Sequence, residues 1–556
     1  MHDLIIRGAT LLDGRGSTPF RGDLAVSNQR ISQVGNVEGP ARETIDAGGL
    51  ALMPGIIDNH THYDAQITWD PQLSPSPALG VTTAIIGNCG FTIAPCRAAD
   101  RELVMRNLTQ VEGMSLQVLR SGVRWDFESV PEYLDRLEAR GSAINIAAFV
   151  GHSGVRTYVM GAAATERAAT REEILKMREL VVEGLKAGAI GFSTSTSPAH
   201  NGEGGKPMPS RLADDAELRA LAGALKDAGH GGVFMLTKGG HTRIPMLEEI
   251  ASATQRPVVI AALLHNSTNP DSVFKDLDEI EKANRRGHRL VGAISCCPLS
   301  MDFTLHSPYT FEGLESWRPA LGKKGDEFKK IISTIEFRNG MRTELSKPAT
   351  FRLFNGEWER VEIIESKRKE LEQKSVAALA REAGRDPLDF MLDLALAEDL
   401  DTVFNAMLLN SDERAVARML RHPSSLVSLS DAGAHLTFFN DAGFGLHLLG
   451  HWVRRLGVLK IEEAVKKLTG HPAEVFGIAG RGVLQAGYHA DLLLFDPASV
   501  DRGPKRRVFD LPGGHPRLTT APLGVHGVWV NGVRIAGEGD RLTKKMPGKL
   551  LRKFNA

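Results

Sequence analysis

The sequence is poor in cysteine, and its cysteines show no regular spacing. Four occur in 556 residues, at positions 89, 96, 296 and 297, and the last two are adjacent. A disulfide-stabilised secreted domain carries its cysteines at separated, pairable positions. The N-terminus also lacks a basic head followed by the long apolar run of a secretory leader. We therefore expect a protein of a reducing compartment, the cytoplasm.

Net charge and long hydrophobic runs are lacking as well. Lysine plus arginine and aspartate plus glutamate both number 67, so the formal net charge is zero. Such a balance gives no overall field to attract nucleic acid or an anionic membrane. No apolar run reaches the roughly 18 residues of a membrane span. We expect a small-molecule partner, with no nucleic acid and no membrane, and the question of a homo-oligomer stays open.

Two common catalytic motifs are absent. The sequence contains neither the glycine-rich phosphate loop that ends in Gly-Lys-Ser/Thr nor the Gly-x-Ser-x-Gly turn of serine hydrolases. This excludes the simplest kinase and serine-hydrolase interpretations.

What the sequence does contain is a regular alternation of apolar runs and helix-length segments. Eight runs read as strands: LALMPGIIDNH, VTTAIIGNCG, AINIAAFVGH, AGAIGFSTS, GGVFMLTK, RPVVIAALLH, RLVGAISCC and SLVSLSDAG. Near-continuous apolar strands separated by helices are typical of a parallel β/α barrel. We predict an α/β protein with a (β/α)8 TIM-type barrel over residues 54–483, carrying a lid-like insertion over about 299–370.

The two ends of the chain share a different sequence pattern, made of short segments in which apolar and polar residues alternate. Short alternating pieces fill the first fifty residues, and ADLLLFD and VHGVWVNGVRIAGEG return near the C-terminus, the latter with an Asn-Gly hairpin turn at Asn531 and Gly532. Two separate short sheets would bury too little surface to be stable. We predict one small β-sandwich domain built from residues 1–53 and 484–556.

Polar residues end most of the predicted barrel strands. They are His60 and His62, Cys89, His152, Lys238, His265, and Asp431 with His435 four residues beyond. Barrel enzymes build their sites at these carboxyl ends. Alternate residues of a strand share a face, so His60 and His62 point the same way and are able to hold one metal ion. Imidazole, thiolate and carboxylate together favour zinc.

Cys89 and Asp431 each allow a second interpretation. Cys89, in IGNCGFT, is either a metal ligand or a small buried residue in a tight turn. Asp431, in SLSDAGAH, either shuttles protons for metal-bound water or caps the following helix. Their neighbourhood with two histidines favours the chemical interpretation of both.

The motifs LMPGIIDNHTHYD, GNCGFTIAP, VGHSGVR, GAIGFSTS and SLSDAGAH, with the β-domain split between the termini, resemble the amidohydrolase superfamily. Within it, GNCG is the specific signal of the N-acyl-D-amino-acid deacylase (D-aminoacylase) group. The resemblance implies zinc-dependent hydrolysis of an N-acyl-D-amino acid, with one or two zinc ions. It also implies Cys89 as a ligand, His60 and His62 at a second, weaker metal position, and Asp431 as general acid/base. His265 fits the strand-six ligand.

The fifth strand departs from the family pattern. MLTKGGHTR places Lys238 where the family has a histidine. A carboxylated Lys238 that binds metal, a replacement by His241, and an incomplete tight site are three competing hypotheses, of which we favour the first. A protonated lysine has no lone pair to offer a metal.

The remaining catalytic assignments follow from position. His152 or His435 is predicted to donate a hydrogen bond to the developing oxyanion. Arg156 or Arg243 is predicted to pair with a substrate carboxylate. Asn266 and GAISCCPLS replace the family's substrate-binding residues, which leaves the D-amino-acid preference open.

Three other functions stay as alternatives. A cyclic-amide hydrolase of the hydantoinase or dihydroorotase type and a deaminase would use the same metal barrel. A catalytically dead barrel serving as a scaffold is the third.

Overall fold

The computed structural model describes residues 1–229, 231–349 and 352–556. The strands in these residues are β1 (His2–Leu11), β2 (Phe20–Ser27), β3 (Arg30–Gly35), β4 (Ala41–Asp46), β5 (Ala51–Pro54), β6 (Ile56–Asp58), β7 (Val81–Ile86), β8 (Asn145–Gly151), β9 (Gly191–Ser195), β10 (Val233–Thr237), β11 (Val258–Leu263), β12 (Leu290–Ile294), β13 (Leu299–Phe303), β14 (Val361–Glu365), β15 (Val403–Leu409), β16 (Ser425–Val427), β17 (Leu492–Phe495), β18 (Asp501–Leu511), β19 (His515–Leu523), β20 (Val525–Val530) and β21 (Val533–Ala536).

The α-helices in the same residues are α1 (Arg101–Val111), α2 (Leu116–Gly122), α3 (Val130–Arg140), α4 (His152–Met160), α5 (Arg171–Lys186), α6 (Asp215–Asp227), α7 (Ile244–Thr254), α8 (Ser272–Arg285), α9 (Gly325–Ile332), α10 (Ile335–Leu345), α11 (Val376–Glu382), α12 (Pro387–Ala397), α13 (Glu413–Arg421), α14 (Phe444–His447), α15 (Ile461–Leu468) and α16 (Gly470–Val475). None of the described helices is both long and apolar enough to cross a membrane.

The described chain forms two compact units. The first comprises Met1–Leu263, Asp276–Cys296 and Met419–Ala556, and the second comprises Leu264–Lys275 and Cys297–Arg418. The first unit contains both the terminal sheet and the barrel strands. The predicted insertion over 299–370 lies within the second unit, and the predicted domain boundaries and lid role stay predictions.

The barrel sheet of the first unit is parallel and follows chain order from β6 through β12 to β16. A parallel bridge between Thr61 and Ala432 joins the chain just after β6 to the chain just after β16. The backbone N–H of His62 donates to Ala432 O at this junction. The predicted TIM-type barrel is confirmed, and the junction brings the residues that follow its first and last strands together.

The first predicted strand is in fact two strands divided at Gly55. Residues Ala51–Pro54 pair with β17 in the terminal sheet, whereas Ile56–Asp58 pair with β7 in the barrel. A Cβ on Gly55 would lie 2.1 Å from Cγ2 of Thr82. Glycine is therefore required where the chain passes from one sheet to the other, although the apolar run itself is continuous.

The terminal sheet combines both ends of the chain, as predicted. Its order is β21–β20–β17–β5–β1–β2–β3, with β4 paired to β1. Asn531 and Gly532 link β20 to β21 with φ values of 48° and 76°, as a type I′ turn requires. The sequence analysis did not predict the hairpin of β18 and β19.

The second unit has its own sheet, in which β15 lies between β13 and β14 and is antiparallel to both. Its core is aromatic: Phe311 stacks on Trp317 at a centroid distance of 5.0 Å.

Candidate metal-binding active site

The junction of β6 and β16 places two histidines beside an aspartate. Nε2 of His60 lies 3.3 Å and Nε2 of His62 lies 3.7 Å from Oδ1 of Asp431. The backbone N–H of Asp431 donates to His60 O at 3.2 Å. Both rings are almost fully buried, whereas the Asp431 side chain is 21% exposed. Asp431 therefore lies on the open side of the pair, where a ligand can reach it.

Cys89 approaches the same point from the turn after β7. Its Sγ lies 3.4 Å from Nε2 of His60 and 3.9 Å from Nε2 of His62. The turn carries positive φ at Gly87 (81°), Cys89 (58°) and Gly90 (77°). A Cβ on Gly90 would lie 2.9 Å from Ser193 O, so the glycines of GNCG permit the close turn that aims the thiol inward.

Electrostatics at this cluster favours deprotonated ligands. Burial alone would raise the pKa of the Cys89 thiol, but the neighbouring His60 and His62 lower it to about 7. Burial opposes ionisation of Asp431, yet His62 and His60 hold the pKa of its carboxyl far below its usual range. The cluster thus holds a thiol near its thiolate form beside an ionised carboxylate.

Two further groups at the cluster were missed by the sequence analysis. Oε1 of Glu112 lies 3.2 Å from Nδ1 of His62, and Oγ1 of Thr237 lies 3.1 Å from Sγ of Cys89. Glu112 follows the amphipathic helix α1 and carries no signal that separates it from a surface glutamate. Thr237 ends β10 directly before Lys238, and this position at the end of a barrel strand could have identified it as a residue of the site.

The donor set fits a zinc ion. Nitrogen and sulfur atoms of His60, His62 and Cys89 all lie within 4.8 Å of one another and are buried. Tetrahedral zinc with bonds of about 2.0 Å to nitrogen and 2.3 Å to sulfur separates its ligand atoms by about 3.5 Å, close to the spacing found here. Among the described residues, Oε2 of Glu112 and Nδ1 of His435 are buried without a hydrogen-bond partner beside this cluster.

His152 and Arg156 lie in a different cluster. Nδ1 of His152 contacts Thr194 Oγ1 at 2.7 Å, and Nε2 contacts Glu217 Oε1 at 2.8 Å. Nη1 of Arg156 donates to the same Glu217 oxygen at 2.6 Å. All three side chains are almost fully buried. We call His152, Arg156 and Glu217 the Glu217 network. The catalytic role predicted for His152 and the substrate role predicted for Arg156 gain no support from these contacts.

No described contact joins Lys238, His241 or Arg243, the residues predicted from the fifth strand, to His60 or His62. Nζ of Lys238 donates to Oδ2 of Asp276 at 2.6 Å. His241 and Arg243 are exposed in the following loop, where Arg243 precedes α7. The ion pair with Asp276 uses Lys238 as an ammonium, and its carboxylation stays a prediction.

His265 and His435 complete the predicted set. His265 belongs to the second unit, where its backbone N–H donates to Oδ1 of Asn410 at 2.8 Å. His435 is held beside the first cluster because its backbone N–H donates to Glu112 O. Burial lowers the pKa of His435 although Asp431 and Glu112 act in the opposite direction, so its ring is favoured in the neutral form. Their predicted roles stay predictions.

Comparisons with known proteins agree with this geometry. The Amidohydrolase family matches residues 43–297 and 349–536. D-aminoacylase of Alcaligenes xylosoxydans xylosoxydans is 31% identical over 559 residues, covering 99% of this chain and 97% of the relative. N-acyl-D-aspartate deacylase of the same organism is 30% identical over 556 residues, covering 99% and 95%.

Solved structures point the same way. A crystal structure of D-aminoacylase superposes with a TM-score of 0.69 at 27% identity, with both chains covered in full. N-acyl-D-glutamate deacylase from Bordetella bronchiseptica, complexed with zinc and a phosphonate mimic of the tetrahedral intermediate, gives 0.68 at 25% identity over 99% of each chain. D-hydantoinase, at 15% identity and a TM-score of 0.53, shares the fold. The chain therefore belongs to the amidohydrolase family and, within it, to the N-acyl-D-amino-acid deacylase (D-aminoacylase) group.

Proposed function

We propose that the protein is a zinc-dependent amide hydrolase that releases a carboxylate and a free D-amino acid from an N-acyl-D-amino acid. The observation that carries this proposal is the convergence of His60, His62 and Cys89 with Asp431 at the carboxyl ends of barrel strands. Relatives that are at least 30% identical over 99% of this chain include a D-aminoacylase and an N-acyl-D-aspartate deacylase, whereas D-hydantoinase matches over only 20% of this chain. This contrast favours an open-chain over a cyclic amide.

His60, His62 and Cys89 would hold the metal. Bound zinc lowers the pKa of a coordinated water and polarises a carbonyl. A D-aminoacylase structure at 27% identity concerns a binuclear metal centre with activation by one metal and attenuation by the second. The number of ions in this chain is thus a quantity to measure, with Lys238 and His265 as the further predicted ligands.

Asp431 supplies the proton transfers. Its carboxylate is ionised, is partly exposed, and lies within 4 Å of both imidazole nitrogens, so it can accept a proton from water at this position. The same carboxyl then protonates the departing amine. His435 stays the predicted donor to the oxyanion, because its Nδ1 is buried without a described partner beside the cluster.

The test measures zinc per chain and hydrolysis of N-acetyl-D- and N-acetyl-L-amino acids, with and without added zinc. We expect about one tightly bound zinc per chain and release of free amine from the D series. Zinc without turnover of any acyl amino acid would contradict the substrate assignment. A zinc-free protein that cannot be reconstituted would contradict the metal site itself.

A further inference from the structure

Hydrogen bonds hold the loop after β9 against the carboxyl end of the barrel. A 3-10 turn at Pro209–Leu212 lies within it, and the completely buried Ser210 of this turn donates from Oγ to Ser195 O at 2.9 Å. The backbone N–H of Ser210 donates to Oγ of Ser153 at 3.3 Å. The side chains of this loop are thus held near the strand ends, although no site residue was predicted for the fourth strand.

Arg211, in that turn, is half-buried but has no acidic partner among the described residues. Its Nη1 donates to the carbonyl oxygen of His200 at 3.2 Å and to Oδ1 of Asn201, both of which are neutral acceptors. No carboxylate of the described residues lies within ion-pair distance of it. Burial lowers the pKa of Arg211, and no acid offsets this effect. A partly buried guanidinium is stabilised by an anion, and the part of the chain that the structure describes supplies none to Arg211.

A chain of contacts through His200 links this arginine to the metal-binding cluster. Its ring packs edge-on against Phe91 at a centroid distance of 5.0 Å, and Phe91 also stacks on His62 at 6.2 Å. Nδ1 of His200 contacts Oγ of Ser195 at 2.7 Å. Because that oxygen already accepts the N–H of Ser197 at 3.2 Å, its own proton can go to Nδ1, which leaves the ring proton on Nε2.

The ring of His200 is favoured in the neutral form. Burial lowers its pKa to about 3, and the neighbouring His62 acts in the same direction. Among the described residues nothing accepts the Nε2–H. The loop therefore offers one positive charge and one neutral donor close to the cluster.

We infer that Arg211, assisted by the Nε2–H of His200, binds the carboxylate of the acyl amino acid. The inference rests on the proposed function, since it names how that substrate is recognised. Only the nitrogen and Cα separate the scissile carbonyl carbon from the carboxylate carbon, so the carboxylate must lie beside the cluster. Of the two arginines predicted from the sequence, Arg156 is neutralised by Glu217 and Arg243 is exposed in the loop after β10, whereas Arg211 is half-buried with its charge unpaired among the described residues.

The test compares Arg211→Gln, Arg211→Lys and a matched control, Arg219→Gln, whose exposed arginine pairs with Glu249 on the helix that follows. Two substrates are used, an N-acetyl-D-amino acid and its primary amide. We expect Arg211→Gln to raise KM for the acid roughly 10- to 100-fold with a smaller change in kcat and no loss for the amide. Arg211→Lys should recover part of this loss, His200→Leu should give a smaller increase, and the control should match wild type.

A measurement of substrate binding without turnover tests the role of Arg211 separately from the proposed hydrolase activity. Calorimetric titration of N-acetyl-D-amino acid into the Asp431→Asn protein, with and without Arg211→Gln, reports carboxylate binding without turnover. Equal affinity in the two proteins, or an equal KM increase for acid and amide, would overturn the role of Arg211 while leaving the hydrolase intact. Absence of turnover by wild type would contradict the proposed function, and the titration would still decide the role of Arg211. Melting temperature and zinc per chain confirm that each variant is folded.

Discussion

Two buried groups of charged side chains lie in the barrel, and they differ in how fully their atoms are bonded. In the Glu217 network, both ring nitrogens of His152 and both oxygens of Glu217 have partners, and only Nε of Arg156 lacks one. Beside His60, His62 and Cys89, buried atoms of Glu112 and His435 have no hydrogen-bond partner in the described chain. A network that satisfies itself stabilises the fold, whereas one that leaves polar atoms unpaired is suited to a ligand.

The two groups also differ in backbone conformation, which is left-handed at three residues of the metal-binding cluster and helical in the Glu217 network. Cys89, Asp431 and His435 have φ values of 58°, 47° and 53°. Members of the Glu217 network lie on the regular helices α4 and α6. Left-handed backbone at non-glycine residues is unfavourable and concentrates at functional sites. The strained cluster is therefore the one expected to carry chemistry.

The largest expected effect is on turnover. Asp431→Asn removes the proton acceptor but keeps the shape of the side chain, so kcat should fall by roughly 10²- to 10⁴-fold while zinc per chain is unchanged. Steady-state kinetics and metal analysis check this prediction. A variant that retains near-native kcat would show that another group transfers the proton.

In the Glu217 network, we expect a substitution to lower stability and to leave the metal site unchanged. Glu217→Gln leaves Arg156 buried without its anion, which should lower the free energy of unfolding by about 3–5 kcal/mol. Zinc per folded chain should stay constant. The control is Glu249→Gln, whose exposed ion pair with Arg219 should contribute about 1 kcal/mol or less. Denaturant unfolding gives both values, and loss of zinc in folded Glu217→Gln would contradict the separation of the two clusters.

Metal removal should affect stability to an intermediate degree. Free zinc at one hundred times its dissociation constant stabilises the folded protein by about 3 kcal/mol, and chelation removes this contribution. We expect a lower melting temperature after chelation in wild type and almost no further decrease in a His60→Ala, His62→Ala double variant. An equal decrease in both proteins would place the stabilising metal elsewhere.

A smaller effect concerns the pH dependence of stability. Burial lowers the pKa of His152 below the 6.5 of an unperturbed histidine, even though Glu217 acts in the opposite direction. Below pH 6.5 the unfolded chain therefore binds a proton that the folded chain does not, so stability decreases as the pH falls. His152→Gln should reduce the slope by up to about 1.4 kcal/mol per pH unit as the pH falls below 6.5. An unchanged slope would mean that His152 is charged in the folded protein.

The sequence predicted the barrel well because each strand is a continuous apolar run. Ligand-type residues at several strand ends also predicted that His60, His62, Cys89 and Asp431 lie close together, as they do in the structure, whereas their roles stay predictions. The division at Gly55 escaped prediction because the apolar pattern does not change there.

The other features of the two clusters could not be predicted because they depend on contacts between residues that are far apart in the sequence. Glu217, which binds His152 and Arg156, lies 65 and 61 residues from them in the chain. Glu112 and Arg211 resemble ordinary polar residues until the fold shows their surroundings. Only the three-dimensional structure distinguishes an arginine bound to a buried glutamate from one left without an acid.

The most direct test of the central claim is zinc K-edge X-ray absorption on the wild-type protein and on Cys89→Ser. We predict sulfur at about 2.3 Å together with nitrogen at about 2.0 Å in wild type, and loss of the sulfur contribution in the variant. Bound zinc with only nitrogen and oxygen neighbours in wild type would contradict the site formed by His60, His62 and Cys89.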